Sequence, residues 1–335
     1  HAEGTPGRVT LLAQRREPGR PRLILYTHID VVPAQGWDAF TPAVRDGRIY
    51  GRGAADMKGA IAALLLALDM ARDKAWRFDT SVMVTTDEEI TQASQIRYLR
   101  PYLEPVPGAC FFSLDTSFGY VQVAALGCIH MEVRVKGRSV HSGMSHLGEN
   151  AVEKAVPVLD ALMQLKKKVT RRRSRVPVHP DTGLTVMEPR LNVNMVHGGL
   201  KANIVPDECL ITIDRRLIPE EDIAEAEREL MEALSSVDGV HWDVPSISRN
   251  PTVPPLDDPV TGQLAGILKD VTGQAGEYGE MGSGDFGPIV VLEWGARLFG
   301  LGTIRADCGI HGKNEFVYQR DIEDLALVIS RFAAG

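Results

Sequence analysis

The N-terminal part of the chain alternates short apolar runs with one long apolar segment. The runs RLILYT (22–27), SVMVTT (81–86) and CFFSLD (110–115) have the length and the β-branched or aromatic content of buried strands. The segment MKGAIAALLLALDMARD (57–73) predicts a helix that packs on them. Strand, helix and strand in this order form the unit of a largely parallel sheet. The pattern therefore predicts an α/β domain, in which sites form at the carboxyl ends of strands.

The hydrophobic pattern changes between about residues 125 and 243. HMEVRVKG (130–137) and ECLITIDRRLI (208–218) alternate apolar and polar positions, which predicts strands with one buried face. ENAVEKAVPVLDALMQL (149–165) and EEDIAEAERELMEAL (220–234) predict two helices that cover that face. This segment is therefore expected to form a small α+β domain.

A proline-rich link, NPTVPPLDDP (250–259), precedes a predicted helix and the strand ARLFGLGT (296–303), which return to the first pattern. The simplest interpretation is that the second domain is inserted into the first. The predicted division assigns residues 1–125 and 246–335 to the α/β domain and residues 126–245 to the insert.

Composition narrows the class of protein. With 335 residues, of which 44% are hydrophobic and 24% charged, the chain can form two globular domains. A net charge of −7 argues against a nucleic-acid partner, and the basic run KKKVTRRRSR (166–175) is interpreted as a solvated helix end. Four cysteines without CxxC spacing indicate a reducing compartment, so a cytoplasmic location is expected. The longest apolar run, residues 60–68, is too short to span a bilayer, so no membrane partner is expected.

Acidic residues follow the predicted strands. TTDEEI (85–90) places three carboxylates at the end of one strand, and taken alone it fits a solvated sheet edge equally well. His28 and Asp30 follow another strand as His-x-Asp, and in an extended segment both side chains point the same way. An imidazole held by a carboxylate is typical of a metal-binding histidine.

The glycine-rich stretch GRGAADMKG (51–59) precedes the long predicted helix. Its sixth position is Asp56 instead of the glycine of a dinucleotide-binding loop, and a carboxylate there does not suit a phosphate. Asp56 is therefore either an ordinary helix N-cap or a residue that approaches a bound ion.

Two more candidates complete the set. Asp115 ends the third predicted strand, and His311 lies in a glycine-flanked turn near the C-terminus. The α/β segments thus hold His28, Asp56, Glu88, Glu89, Asp115 and His311. Two imidazoles and three carboxylates suit a pair of divalent ions, with zinc favoured and manganese or cobalt as substitutes. Glu88 is then a spare carboxylate that is free to move a proton, and one of the two metal sites could be empty.

Seven ordered motifs carry a family resemblance. The motifs, in chain order, are HIDVVP, GRGAADMKG, TTDEEI, SLD, GRSVHSG, KANIVPDECLITIDRRLIPEE and HGKNEF. In this order the chain resembles the metallopeptidase and deacylase family of acetylornithine deacetylase, succinyl-diaminopimelate desuccinylase, aminoacylase and glutamate carboxypeptidase. The helix and strand that usually precede the His-x-Asp motif are expected to be missing, in keeping with a start that lacks an initiator methionine.

The resemblance implies a fold and a ligand set. It implies an α/β catalytic domain, a mixed and largely parallel sheet between helices, with an inserted α+β lid that also makes a homodimer. Asp56 would bridge the two ions, His28 and Asp115 would complete one site, and Glu89 and His311 the other.

The resemblance also implies roles around the metals. Asp30 would orient His28, and Glu88 would act as general base and acid. His141 would reach from the partner's lid to stabilise the oxyanion, although alone it fits an ordinary loop histidine. Asn203 and Arg216 would hold a substrate carboxylate or carbonyl; Arg215 beside it must face the other way in a strand.

One stretch departs from the family pattern. Where many relatives carry an arginine, residues 282–288 read GSGDFGP, and Phe286 and Gly287 offer no charge. Gly284 is the expected substrate contact in this stretch. A standard α-carboxylate clamp is therefore not predicted, and a less polar or aromatic substrate becomes an alternative.

The leading functional hypothesis is a metal-dependent hydrolase for an N-acyl amino acid, small peptide or related C–N bond, with a small-molecule substrate. One alternative is an aminohydrolase that removes an amine from an unusual, even aromatic, substrate. Another is a metal-binding homologue without catalysis, against which the intact Glu88 and ligand set argue. A serine hydrolase is not predicted, because no Gly-x-Ser-x-Gly elbow follows a strand.

Overall fold

The computed structural model of the protein describes residues 9–91, 94–284 and 286–335. The strands are β1 (Leu11–Arg15), β2 (Arg22–His28), β3 (Ala43–Arg45), β4 (Arg48–Tyr50), β5 (Asp79–Thr85), β6 (Cys110–Ser113), β7 (Val121–Lys136), β8 (Val140–His141), β9 (Arg190–Gly198), β10 (Ile204–Val205), β11 (Glu208–Leu217), β12 (Trp242–Asn250), β13 (Glu277–Ser283), β14 (Arg297–Gly300) and β15 (Phe316–Tyr318). The α-helices are α1 (Gly59–Met70), α2 (Glu88–Thr91), α3 (Arg100–Leu103), α4 (Ala151–Val169), α5 (Ile223–Ser235), α6 (Pro259–Thr272) and α7 (Gln319–Ala333). Shorter helical turns span Ala54–Lys58, Ser94–Leu99, Ser142–Leu147, Pro180–Thr182 and Gly287–Glu293.

Chain contacts divide the protein into two compact units. The first comprises the described residues up to Ala124, Pro255–Tyr278 and those after Gly284. Its sheet has the order β1-β5-β2-β6-β14-β7, in which β5, β2, β6 and β14 run parallel and the two outer pairings are antiparallel. The α/β class with a largely parallel sheet, predicted from the apolar runs, is confirmed.

Strand β2 is buried on both faces. Leu23 and Leu25 belong to a core that includes residues of α1, α6 and α7, whereas Ile24 and Tyr26 belong to a second core on the opposite face. A strand whose central run is apolar on both faces is what a sheet covered by helices on both sides requires. The hydroxyls of Tyr26 and Thr85 lie 2.8 Å apart and link β2 to β5.

The second unit comprises Ala125–Pro254 and Gly279–Gly284. Its sheet is antiparallel, with the order β12-β7-β11-β9, and β13 also pairs with β7. One apolar cluster contains residues of β7, β11, α4 and α5, so both helices pack on the sheet as the alternating pattern predicted. Asn150 caps the N-terminus of α4, and its Oδ1 accepts hydrogen bonds from the amides of Val152 and Glu153.

Two details differ from expectation. Strand β1 precedes β2, the strand that leads into the His-x-Asp motif, and pairs with β5, so the expectation that the usual preceding strand is missing is wrong. The compact second unit continues to Pro254 and takes in Gly279–Gly284, because β12 and β13 pair with β7. The assignment of residues 1–125 and 246–335 to a catalytic domain and of residues 126–245 to an inserted domain stays a prediction.

Other expectations concern cysteines and membranes. All four cysteines are buried with free thiols. Within the described residues, none of the helices has both the length and the apolar character needed to cross a bilayer.

Candidate metal centre

Three neighbouring parallel strands bring their polar carboxyl ends to one edge of the first unit's sheet. β2 ends at His28, which lies opposite Thr85, the last residue of β5. Glu88 and Glu89 follow as the first residues of α2, and Asp115 comes two residues after β6. Because parallel strands end at the same edge, residues far apart in sequence meet there.

Asp56 reaches this edge from the irregular turn that precedes α1. Its carboxylate oxygens face different imidazoles: Oδ1 lies 3.1 Å from Nε2 of His28 and Oδ2 lies 2.9 Å from Nε2 of His311. The side chain is largely buried. A carboxylate with one oxygen toward each histidine is suited to bridging two ions.

The remaining ligand candidates, Asp115 and Glu89, and the proposed proton carrier Glu88 gather around the two imidazoles. Nε2 of His28 lies 3.6 Å from Oδ2 of Asp115 and 3.9 Å from Oε2 of Glu88. Nε2 of His311 lies 3.3 Å from Oε2 of Glu89. The side-chain donor atoms of His28, Glu88 and Asp115 lie within 4.8 Å of one another, and so do those of Asp56, Glu89 and His311.

This donor set fits divalent cations. Nitrogen and carboxylate oxygen donors suit zinc, manganese or cobalt, and several carboxylates so close together repel one another unless positive charge offsets them. The structure thus brings the five residues predicted as ligands together. It also brings Glu88 within reach of the first group.

Asp30 and Glu89 are linked around His28. Oδ1 of Asp30 lies 3.4 Å from Nδ1 of His28, and its backbone oxygen lies 3.2 Å from the same nitrogen. Oδ2 of Asp30 accepts a hydrogen bond from the amide of Glu89, and Oε1 of Glu89 accepts one from the amide of Val32. With Nδ1 facing Asp30, Nε2 of His28 is directed into the cluster, which is the orientation a ligand needs.

The ionisable groups of this cluster shift one another's pKa values. Burial opposes the charged form of His28, but hydrogen bonds and charges from Asp115 and Asp56 outweigh it and raise its pKa to about 11. Burial raises the pKa of Glu89, and the charge of Asp56 adds to the effect. Burial likewise raises the pKa of Asp115, against the lowering effect of His28. The centre therefore retains a proton at His28 when no cation offsets its carboxylates.

Glu315 supports the turn that carries Asp56. Its carboxylate accepts hydrogen bonds from the backbone amides of Gly53, Ala55 and Asp56 at 3.0–3.1 Å. It also pairs with Arg52 at 2.5 Å, and both side chains are buried. In the sequence, Glu315 is part of the motif HGKNEF, and no role was predicted for it. The available signal was a charged residue directly before the apolar strand β15.

The predicted substrate residues His141, Asn203 and Arg216 lie in the second unit. His141 ends β8 and is exposed; its Nδ1 accepts a hydrogen bond from the amide of Gly143. The backbone oxygen of Asn203 accepts a hydrogen bond from the amide of Ser142.

The neighbouring arginines 215 and 216 face different environments. Arg216 is partly exposed, forms a two-pronged pair with Asp214 and donates to the Ser283 hydroxyl at 2.6 Å. Arg215 is fully buried and pairs with Glu221. Arg216 is therefore the exposed member of the two.

The stretch that departs from the family pattern is tightly packed. A side chain on Gly284 would bring its Cβ to 2.6 Å from Cγ2 of Val253, so the position requires glycine. Phe286 is buried and its ring centroid lies 4.3 Å from that of Tyr26. Phe286 therefore belongs to the core, and the alternative of a less polar or aromatic substrate stays a prediction. Asp285 lies outside the described residues.

Similar proteins were found by sequence. Acetylornithine deacetylase of Vibrio vulnificus is 32% identical over 264 residues, which cover 78% of this chain and 66% of the deacetylase. The chain thus spans somewhat less than two thirds of that relative's length. Succinyl-diaminopimelate desuccinylase of Marinobacter nauticus is 28% identical over 337 residues, covering 96% of this chain and 85% of that enzyme.

Solved structures share the fold. Aminopeptidase PepT of Bacillus cereus superposes with a TM-score of 0.75 at 19% identity, covering 98% of this chain and 84% of that one. A metallo-carboxypeptidase of Sulfolobus solfataricus gives a TM-score of 0.72 at 17% identity, covering 96% and 86%. The model of peptidase family M20/M25/M40 matches residues 24–335. As the ordered motifs predicted, the chain belongs to peptidase family M20/M25/M40, a family of metal-dependent hydrolases.

Proposed function

We propose that the protein hydrolyses an amide bond, in an N-acyl amino acid or a small peptide, at a pair of divalent ions. The observation that carries the proposal is Asp56, whose two oxygens face His28 and His311 separately. His28 and Asp115 would complete one site, and Glu89 and His311 the other. Relatives named deacetylase and desuccinylase act on acyl groups, which supports the same reaction class here.

The proposed ions are zinc, with manganese or cobalt as substitutes. When bound, such ions lower the pKa of water to about 7 and polarise a carbonyl. The donor set of two imidazoles and three carboxylates supports this choice over magnesium or calcium, which prefer oxygen ligands alone.

Glu88 is the proposed proton carrier. It would take a proton from the attacking water and deliver it to the departing amine. Oε2 of Glu88 lies 3.9 Å from Nε2 of His28, so the carboxylate is next to the ligand atoms. Asp30 would keep Nδ1 of His28 occupied, so that Nε2 faces the site.

His141, Asn203, Arg216 and Gly284 are the proposed substrate contacts. His141 is exposed and its ring already orders the turn that follows it, which favours a defined orientation for oxyanion stabilisation. Arg216 is held by Asp214 and Ser283, so its guanidinium is already oriented for a substrate carboxylate or carbonyl.

A homodimer through the second unit is also proposed. Within the described chain, β9 ends that unit's sheet and pairs on one side only, with β11. Val152 and Val156, one turn apart on α4, are exposed, as are Met195 and Val196 on β9. An unpaired sheet edge beside exposed apolar side chains is suited to a second copy. A cytoplasmic location is proposed on the same basis as before, the four free thiols.

A metal-reconstitution experiment tests the proposed function. The protein is freed of metal with a chelator, reloaded separately with zinc, manganese and cobalt, and assayed on N-acetyl and N-succinyl amino acids and on dipeptides. We expect hydrolysis that depends on added metal and is absent from an Asp56→Asn variant. Metal-loaded protein that leaves the whole panel intact would refute the proposal.

A further inference from the structure

Three side chains with different donor atoms converge in the second unit, outside the centre described above. Sγ of Cys128 lies 3.2 Å from Nε2 of His130, and the same nitrogen lies 2.9 Å from Oδ2 of Asp214. Cys128 and His130 are two apart on β7 and share a face of the sheet. Asp214 lies directly opposite His130 in the β7–β11 pairing.

The geometry excludes a Cys–His–Asp proton relay. In such a relay the carboxylate holds one ring nitrogen while the thiol contacts the other. Here both groups contact Nε2, which carries at most one proton. Three donor atoms gathered at one point, within 4.8 Å of one another, are instead the arrangement that a single cation needs.

Burial and charge agree with a cation. Cys128 and Asp214 are 4% and 8% exposed, whereas most of the His130 side chain is accessible, so an ion can enter past the imidazole. A thiolate and a carboxylate together supply the charge that offsets a divalent ion.

Arg216 fixes Asp214 from the other side. It donates to Oδ1 from Nε at 2.8 Å and to Oδ2 from Nη2 at 2.9 Å. Each carboxylate oxygen has a second lone pair, so Oδ2 can accept from Arg216 and still face the cluster. Residues outside the ligand set commonly hold a ligating carboxylate in place in this way. The guanidinium of Arg216 also places a positive charge near the proposed cation.

We propose that Cys128, His130 and Asp214 form a further cation site within the second unit. The sulfur, nitrogen and oxygen donors suit a borderline or soft divalent ion, Zn²⁺, Co²⁺ or Cd²⁺, and do not suit Mg²⁺ or Ca²⁺. The site uses none of the residues proposed for the bridged pair of ions, so each can be tested without the other.

Cobalt titration followed by absorption tests the proposal. A thiolate bound to Co²⁺ gives an intense near-ultraviolet charge-transfer band, which histidine and carboxylate ligands do not. The purified, metal-free full chain is kept reduced with a phosphine and titrated with CoCl₂ alone. We expect a saturable band in the parent protein and in Asp56→Asn, in which the proposed paired site is disabled.

Two cysteine variants test whether Cys128 supplies the thiolate that binds the cobalt ion. Cys128→Ser should lose the band, whereas Cys209→Ser should keep it, because Cys209 is also buried in the same sheet but forms no such cluster with other described residues. Circular dichroism checks that both variants are folded. A parent protein without a band, or a band that survives in Cys128→Ser, would overturn the proposed cation site. A band in a protein that hydrolyses nothing would leave the cation site standing while refuting the proposed function.

Discussion

The carboxylate of Glu315 accepts a hydrogen bond from the backbone amide of Asp56 at 3.1 Å. The hydrogen bond links Asp56, a ligand candidate, to Glu315, which supports the turn that carries Asp56. Glu315 is 1% exposed and also neutralises the buried Arg52. The position of Asp56 therefore depends on a carboxylate that is not among the proposed ligands.

Glu315→Gln is expected to weaken both folding and metal binding. The amide can still accept hydrogen bonds, but Arg52 keeps a buried charge without its partner, which typically costs about 3–5 kcal/mol. Urea unfolding and calorimetric zinc titration measure the two effects. Glu323→Gln, an exposed substitution on the adjacent α7, is the matched control and should change neither. Unaltered stability in Glu315→Gln would contradict the supporting role.

Asp56→Asn is expected to loosen both ions together. The amide offers one neutral oxygen in place of two charged ones, so neither histidine-centred group keeps its full charge. Metal content after dialysis, measured by mass spectrometry, reports the loss. Asp69→Asn, on the exposed end of α1, controls for the change of net charge. If one ion remained with parental affinity, Asp56 would not be shared between the two sites.

Glu88→Gln is expected to reduce kcat by roughly 10²–10⁴-fold, the usual contribution of a positioned acid-base group. Metal content should stay at the parental level, because the proposal gives Glu88 no ligand role. Both quantities are measured on the same preparation. Turnover within tenfold of the parent, or loss of an ion, would remove Glu88 from the proton-transfer role.

Metal binding is expected to release a proton at neutral pH. His28 has its pKa raised to about 11 in the metal-free centre, so its ring is protonated below that pH, and a ligand must be neutral. For one proton displaced, the apparent affinity should rise about tenfold per pH unit up to that pKa. Calorimetry in buffers of different ionisation enthalpy counts the protons. Uptake of protons, or no dependence on buffer, would be inconsistent with a charged His28.

Val156→Glu is expected to convert a dimer to monomers, because it buries a charge in the proposed apolar contact. Val156 is 62% exposed on α4. Leu65→Glu is the control: Leu65 is equally exposed but lies on α1 of the first unit. Sedimentation velocity gives the oligomeric state. A dimer that persists in Val156→Glu would exclude this face.

The central part of the fold could be predicted because its signals are local. β2, β5 and β6 each contain a short apolar run, LILY, VMV and CFF, and α1 follows a glycine-rich turn. β12 was missed, since its sequence contains a proline and several polar residues, and its pairing with β7 is a tertiary contact.

The two proposed metal-ligand clusters differ in the same way. The proposed ligands of the first unit all lie in family motifs, and His28, Glu89 and Asp115 lie at or just after strand ends, so their residue types and order suggested a site. In the second, the spacing of Cys128 and His130 was visible, but Asp214 joins them only through the register of β7 and β11, 84 positions along the chain from His130.

The hydroxyl contact between Tyr26 and Thr85 helps to fix the register of β2 against β5. The central residues of β2 are apolar on both faces, so a shift of its pairing by one residue would leave its buried apolar area nearly unchanged. Hydrophobic packing alone therefore does not select the register. Polar contacts between the two strands do distinguish one register from the next: the hydroxyl pair of Tyr26 and Thr85 at 2.8 Å, the hydrogen bond from the Thr27 hydroxyl to the Met83 carbonyl, and the ion pair of Arg22 with Asp79. Because His28 comes two positions after Tyr26, the same contacts help to set where the imidazole meets its carboxylates.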